Sequence, residues 1–319
     1  MNNKKQIAVI GCGGVGGYYG SQLQKQGHDV HYLLNSDYEH VKDNGLSILS
    51  PNGNYDLDEV YAYNNVNDMP PCDIVLLGLK TTSNHLLEEL LPPVTKKDGF
   101  VFALQNGIGI EEQVAEVVGA DRVIGGLCFI CSVKQGPGLI EHQDYGWISV
   151  GDYREDGEPA GITPRIQMIA DLFEGSDVVI ELMKDLTQAR WQKLIFNIPF
   201  NGLSVVLDAN TREMTRDEHI RSLAWELMLE VGIATQAAVN REIPQDFMQS
   251  ILDKTTAMLA FEPSMKQDHD AGRPLEVETI HGEVVRRANA AGVRVPHIEM
   301  LYQQLKYIDH ITQTCHLTK

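Results

Sequence analysis

Basic residues are scarce in this sequence. Only 26 Lys and Arg stand against 44 Asp and Glu, for a net charge of −18 over 319 residues. A surface of that sign repels nucleic acid and anionic membrane, so neither is an expected partner. Long apolar runs are missing as well, and none approaches the roughly 20 residues that span a bilayer. The stretch Met1-Asn2-Asn3-Lys4-Lys5-Gln6 leads straight into a strand-like segment, with no apolar signal region or small-residue cleavage site. A cytoplasmic location is the expectation. Cysteine is sparse and odd in number: Cys12, Cys72, Cys128, Cys131 and Cys315. That excludes a disulfide scaffold and suits a reducing compartment. Cys128-Phe-Ile-Cys131 spells C-x-x-C, but inside a β-like run rather than at a helix start. Buried strand cysteines are therefore expected in preference to a redox or metal pair. The histidines are scattered without a metalloprotease pair, so no metal is expected. No G-x-S-x-G elbow is present, which disfavours a serine hydrolase. Fixed-period repeats and low-complexity segments are absent too.

What is present alternates strand and helix signals through the first half. Gln6 to Ile10 is apolar and rich in β-branched residues, a glycine cluster follows, and a helix-like stretch runs to about Gln26. Val30 to Leu34 then reads as a second strand, which completes a βαβ unit. Residues 46–63 predict an antiparallel excursion around the hairpin signal Pro51-Asn52-Gly53-Asn54. Asp73 to Leu79 and Phe100 to Leu104 predict buried central strands, ending at Lys80 and at Gln105-Asn106-Gly107. In open α/β sheets, ligands bind at that carboxyl edge. Further strands are expected at 123–133, 139–150 and 177–181, with a helix at 163–174. Beyond about residue 184 helical periodicity dominates, over 185–200, 217–240, 245–260, 276–291 and 297–308. Pro244 and Pro296 are placed to open helices and Gly292 to close one. The expected fold class is α/β. A Rossmann-type doubly wound sheet over 1–183 precedes an all-helical substrate or catalytic domain over 184–319.

Gly11-Cys12-Gly13-Gly14-Val15-Gly16 matches G-x-G-x-x-G between a strand and a helix, the context that gives the pattern meaning. Gly11 permits the tight turn, Gly13 the approach of backbone N–H groups to a pyrophosphate, and Gly16 close helix–strand packing. The helix N-terminus offers unpaired N–H groups and a partial positive charge to the anion. The residues closing the second strand, Leu33-Leu34-Asn35-Ser36-Asp37, hold no arginine for a 2′-phosphate. Asn35 and Ser36 suit either nicotinamide cofactor and Asp37 suits NAD, so the local chemistry leaves NADP and NAD both open.

In the second half, Lys193, Asn197 and Asn201 stand at i, i+4 and i+8 in strongly apolar company, and a continuous helix would put them on one face. A partly desolvated lysine beside two amides suits a general acid. A solvated stripe on an amphipathic helix is the plainer alternative. Pro263-Ser264-Met265-Lys266-Gln267-Asp268 and Gly272-Arg273-Pro274-Leu275-Glu276 form a second polar cluster. Glu276 at a helix start reads equally as a dipole-favoured residue or a catalytic one.

Taken together, these motifs resemble the ketopantoate reductase (2-dehydropantoate 2-reductase) family over nearly the whole chain. The resemblance rests on Gly11-x-Gly13-x-x-Gly16 with Gly17-Tyr18-Tyr19-Gly20, Lys80, Gln105-Asn106-Gly107, and Trp191-x-Lys193-Leu194-x-x-Asn197-x-x-x-Asn201. It continues through Pro263-Ser264-Met265-x-Gln267-Asp268, Gly272-Arg273, Glu276, Gly282 and Gly292-Val293-x-Val295-Pro296. It implies a Rossmann domain and a helical domain with the active site between them, and NADPH-dependent reduction of ketopantoate to pantoate, a step of pantothenate biosynthesis. It implies that Lys193 protonates the developing C2 alkoxide and that Glu276 orients the lysine or the bound cofactor and substrate. Asn197, Asn201 and Ser264 would hold the substrate. Lys80 and Asn106 would line the cofactor and substrate cleft, with Gly11 to Gly16 and Asn35 on the cofactor. Two positions depart from the family pattern. Asn35 replaces an arginine, which leaves NAD open, and Phe261 replaces an asparagine three residues before Ser264, which points to a different, more apolar 2-oxo acid. Beside these stands another class of function, a catalytically silent NAD(P)-binding sensor. It has no need of Lys193 and Glu276 together. A homodimer is compatible with the helical domain, but no heptad pattern specifies one.

Overall fold

Gln6–Ile10 forms the first strand, β1, of a computed structural model that describes residues 4–317. The chain divides into two units. One runs up to Asn106 and resumes over Ile110–Leu186; the other takes Gly107–Gly109 and the chain from Thr187 onward. The division thus falls a few residues beyond the expected one, and a short loop expected in the first domain belongs with the second.

The first unit continues with α1 (Gly14–Lys25), β2 (Asp29–Leu33), α2 (Tyr38–Asn44), β3 (Leu46–Leu49), β4 (Tyr55–Leu57) and β5 (Tyr61–Tyr63). There follow β6 (Cys72–Leu77), α3 (Leu87–Val94), β7 (Thr95–Ala103), α4 (Ile110–Val118), β8 (Val123–Gly136), β9 (Leu139–Asp152), α5 (Pro164–Leu172) and β10 (Ile180–Met183). The sheet order is β4-β3-β9-β8-β7-β6-β1-β2-β5, with β10 beside β9. Strands β5, β2, β1, β6, β7 and β8 are parallel neighbours, whereas β8 and β9 form a long antiparallel hairpin. Side-chain alternation splits the central strands between two cores. Ile7, Val9, Ile74, Leu76, Phe100 and Phe102 pack on one face, and Ala8, Ile10, Val75, Leu77, Val101 and Ala103 on the other. A sheet buried on both faces explains why these strands read as continuous apolar runs.

The hairpin expected near Pro51 is there, as β3 against β4 in antiparallel register with Gly53 at φ +118. Two of its surroundings differ from expectation. β3 joins the main sheet parallel to β9, and β5 adds parallel to β2. Residue alternation marks a strand but does not name its partner. β10 starts later than expected because Ser176 turns the chain. Its amide donates to the Phe173 carbonyl and its hydroxyl accepts from the Val178 amide.

The second unit holds α6 (Leu186–Phe196) from Thr187 onward, α7 (Gly202–Leu207), α8 (Thr211–Arg216), α9 (Glu218–Val239), α10 (Gln245–Ala257), α11 (Ser264–Asp270), α12 (Glu283–Ala290) and α13 (Pro296–Leu317). Its core gathers Trp191, Leu194 and Ile198 with Leu227, Met228 and Val231 of α9 and Ile298 and Leu301 of α13. Ile108 enters this core, and its amide donates to the Thr279 carbonyl at 3.0 Å. The helix expected over 185–200 is interrupted by one wide π turn at Asn197–Asn201, and the one expected over 276–291 opens with another at Glu278–Gly282. In the first, Pro199 supplies the cause. It has no N–H to donate, and its ring collides with the carbonyl one turn back, so the helix loosens.

The start of α13 is capped from another helix. Glu230 of α9, buried, accepts from the amides of His297 at 3.0 Å and Ile298 at 2.9 Å, and pairs with the His297 ring at 2.7 Å. Removing this acceptor leaves two helix-terminal N–H groups without it. Glu230→Ala is expected to cost about 2 kcal/mol of stability, read as a lowered urea midpoint. An unchanged midpoint would show that the cap carries no weight.

Candidate active site

In the first unit, the candidate site forms where the direction of strand succession reverses. From β1 the chain steps to β2 on one side and later to β6 on the other, so the carboxyl ends of β1 and β6 flank the switch point. Gly11 has φ +97, and a Cβ there would lie 2.4 Å from the Leu79 amide nitrogen. A Cβ on Gly16 would lie 2.2 Å from the Gly11 carbonyl oxygen. Only glycine fits either position. At Gly13, by contrast, an added Cβ would meet nothing within 4 Å. The turn is therefore tight where it touches protein and open at Gly13, just before the first amides of α1. No acidic side chain occupies the first turn of α1, and Gly13 offers no side-chain cap. Open space, unpaired amides and a helix N-terminus fit the pyrophosphate of a dinucleotide.

The remaining first-unit candidates lie on the same sheet edge or just beyond β2. Lys80 is exposed at the start of a short 3₁₀ turn after β6, and Asn106 is half-buried after β7. Gln105 ties these ends together, donating to the Leu79 carbonyl at 2.9 Å and to Asn84 Oδ1 at 2.6 Å. Asn35 is exposed, two residues past β2. Cys128 and Cys131 are buried thiols outside any disulfide. Burial pushes the Cys131 thiol up to about 12, away from thiolate reactivity. Among the described residues no group of acids, histidines and cysteines could hold a metal, and no helix is long and apolar enough to cross a membrane.

In the second unit, Lys193 is half-buried near the end of α6. Asn197 and Asn201 open and close the π turn, at 6% and 3% exposure. The wide turn replaces the regular α spacing expected between them. Asn201 Oδ1 accepts from the Met265 amide at 3.2 Å and the Ser264 hydroxyl at 3.4 Å. It thereby caps α11, whose own N-cap residue, Pro263, has no side-chain acceptor. Its carbonyl oxygen is occupied structurally. The Asn197 amide, in contrast, makes no side-chain hydrogen bond among the described residues. A buried amide without a protein partner points to water or ligand. Glu276 is 4% exposed and precedes the second π turn, where its carbonyl receives the Ile280 amide.

Two further groups support this arrangement. Lys266, buried, reaches Asp208 at 2.8 Å and Asp270 at 2.5 Å. Burial works against its charge, but the two carboxylates outweigh it and raise its pKa. Arg273 meets buried Asp268 at 2.9 Å. These pairs anchor α11 and explain the polar run around Ser264. His281, read from the sequence as a surface or packing residue and not as a ligand, has a structural part beside the site. It is fully buried, and its Nε2 donates to the Ile198 carbonyl at 3.1 Å inside the first π turn. A Cβ on Gly202 would lie 2.7 Å from that same Nε2, so the glycine makes room for the ring. Its signal was the glycine following the second asparagine, which a single sequence cannot link to a histidine far along the chain.

A mostly parallel sheet with a glycine turn at its switch point, followed by an all-helical unit, places the chain in the Rossmann class of α/β proteins. The family model described as "Ketopantoate reductase PanE/ApbA" matches residues 7–155, and the one described as "Ketopantoate reductase PanE/ApbA C terminal" matches residues 185–309. The chain belongs to the ketopantoate reductase family. A curated 2-dehydropantoate 2-reductase of Nostoc sp. is 49% identical, covering 99% of each chain. The crystal structure of 2-dehydropantoate 2-reductase from Geobacter metallireducens is 37% identical with a TM-score of 0.90, covering 95% of this chain and 99% of that one. The structure from Methylococcus capsulatus is 32% identical with a TM-score of 0.86, covering 96% and 97%.

Burial lowers the His281 pKa from 6.5 to about 4. The unfolded chain takes up this proton near pH 6.5, the folded chain only near pH 4. The histidine therefore leaves stability unaffected above the higher value and erodes it as pH falls between the two, by about 3 kcal/mol in all. Denaturation of wild type and His281→Gln across that window is expected to show a shallower loss in the variant. Parallel curves would contradict the assignment.

Proposed function

We propose that the chain reduces ketopantoate (2-dehydropantoate) to pantoate with NADPH, and that Lys193 is the general acid. Family membership over nearly the full length supports the reaction class. The observation that carries the residue assignment is the placement of a half-buried lysine one helical turn before a buried amide for which the described residues supply no side-chain hydrogen bond.

When bound, the reduced nicotinamide supplies a hydride to the C2 carbonyl carbon. The chain's own residues do the rest. Lys193 sets its ammonium against the carbonyl oxygen, stabilises the charge that grows there and delivers the proton. Asn197 offers an amide donor and acceptor to the substrate's polar ends. The –NH2 of Asn201 adds a donor beside it, and the Ser264 hydroxyl, whose proton goes to the Asn201 carbonyl, offers an acceptor. Glu276, buried, fixes the orientation of the lysine or of the ligands. The glycine turn receives the pyrophosphate, and Lys80 and Asn106 border the same sheet edge. With a net charge of −18 on the chain, these few cations and donors must overcome a repulsive field to hold an anionic substrate.

Phe261 favours a second substrate reading. Its backbone is fixed in a two-way exchange with Thr211, through the Thr211 amide at 3.0 Å and the Thr211 hydroxyl at 3.2 Å. The half-buried ring brings no hydrogen bond to a substrate hydroxyl, so a more apolar 2-oxo acid would bind better than ketopantoate. Phe261→Asn is then expected to lower KM for ketopantoate relative to that acid.

Lys193→Ala is expected to lower kcat for NADPH oxidation by ketopantoate about 10²–10⁴-fold, with the cofactor Kd nearly unchanged. Full activity in the variant would remove Lys193 from the reaction. Tight NADPH binding without turnover of any 2-oxo acid by the wild type would favour the silent sensor.

A further inference from the structure

The segment after β2 brings no arginine to the cofactor, but another strand brings a cation to the same place. Lys134, on β8, pairs with the Asp37 carboxylate. The Gly138 amide, at the tip of the β8–β9 hairpin, donates to the same Asp37 oxygen at 3.4 Å. The two partners are unequally exposed: the Asp37 side chain at 4% and the Lys134 side chain at 29%. Of the two, the lysine side chain is the one that reaches solvent, and the acid is buried.

The pair also stands beside the glycine turn. A Cβ on Gly14 would lie 2.3 Å from the Ser132 carbonyl oxygen, and the Ser132 hydroxyl donates to the Gly14 carbonyl at 2.9 Å. A Cβ on Gly17 would lie 2.2 Å from Ile140 Cδ1, on the returning strand of the same hairpin. Within the turn, Cys12 is pushed up to about 12 by burial, and it feels Lys134 and Asp37 in opposite directions. The region between a glycine turn and the end of the second strand is where a Rossmann unit holds the adenosine ribose.

We infer that Lys134 is the residue that selects NADPH, its ammonium meeting the ribose 2′-phosphate in place of an arginine after the second strand, with Asp37 as its positioning residue. The inference rests on the proposed function, because it presumes a nicotinamide cofactor on the glycine turn. An ammonium has three N–H donors, so its bond to Asp37 leaves others for a phosphate. Asp37 itself is poorly placed to accept ribose hydroxyls as in an NAD site, since it is buried and already receives the ammonium and the Gly138 amide.

The test measures Kd for NADPH and NADH by quenching of protein fluorescence at fixed ionic strength, without turnover. Lys134→Ala should lower the preference for NADPH about 10–100-fold, mostly through weaker NADPH binding. Lys134→Arg should retain the preference, and Asp37→Asn should reduce it by a smaller factor. A preference unchanged in Lys134→Ala, or equal losses for both cofactors, would overturn the inference. A comparison on the wild-type protein needs no variant to fold: adenosine 2′,5′-bisphosphate should bind at least about tenfold tighter than 5′-AMP. Equal affinities would also overturn it. If the wild type bound no dinucleotide at all, the proposed function would fall, and this inference with it. NADPH selectivity that follows Lys134 without ketopantoate turnover would uphold the inference and count against the substrate alone.

Discussion

Backbone against backbone at the end of β1 is the contact on which the first unit depends. Gly11 lies so close to Leu79, and Gly16 so close to Gly11, that a single Cβ at either place would have to overlap a main-chain atom. This packing fixes the start of α1 relative to β1 and β6, the two strands whose carboxyl ends flank the switch point. The positive end of α1 begins just past Gly13, the glycine of the turn where an added Cβ would meet nothing within 4 Å. The anion-binding site proposed there would need no charged side chain. That suits a chain whose surface is strongly acidic.

The second unit obeys a different constraint. Its polar residues sit in an apolar helical core, and burying an amide is costly unless something pairs with it. Pro199 opens the helix into a π turn, His281 and Gly202 fill and shape the space behind it, and Asn201 spends its carbonyl on capping α11. The Lys266–Asp208 pair ties α11 to the end of α7, and Arg273 pairs with Asp268 of α11. Among the described residues, Asn197 makes no side-chain hydrogen bond. The Glu278 cluster with Arg286, Tyr302 and Lys306 is exposed, and such surface pairs add little.

How legible all this was depended on the sequence distance over which each feature is built. The glycine turn, β1, α1 and the strands β8 and β9 follow from short-range chemistry, and the structure bears them out, although the antiparallel pairing of β8 with β9 was not expected. The π turns were hidden because the i, i+4, i+8 spacing of Lys193, Asn197 and Asn201 reads as one regular helix, although Pro199 in its middle was the clue. β5 was legible as extended chain but not as a parallel neighbour of β2. The occupied carbonyl of Asn201, the pairing of His281 with the Ile198 carbonyl, and the meeting of Asp37 with Lys134 each join residues far apart in the chain. No local pattern records such pairings.

The most direct measurement follows an isotope. NADPH carrying deuterium on the transferable C4 position is incubated with the protein and ketopantoate, and the product is read by NMR. Deuterium on C2 of pantoate, one atom per cofactor oxidised, is the expected result. Cofactor bound at saturation with no deuterium reaching any 2-hydroxy acid would contradict it.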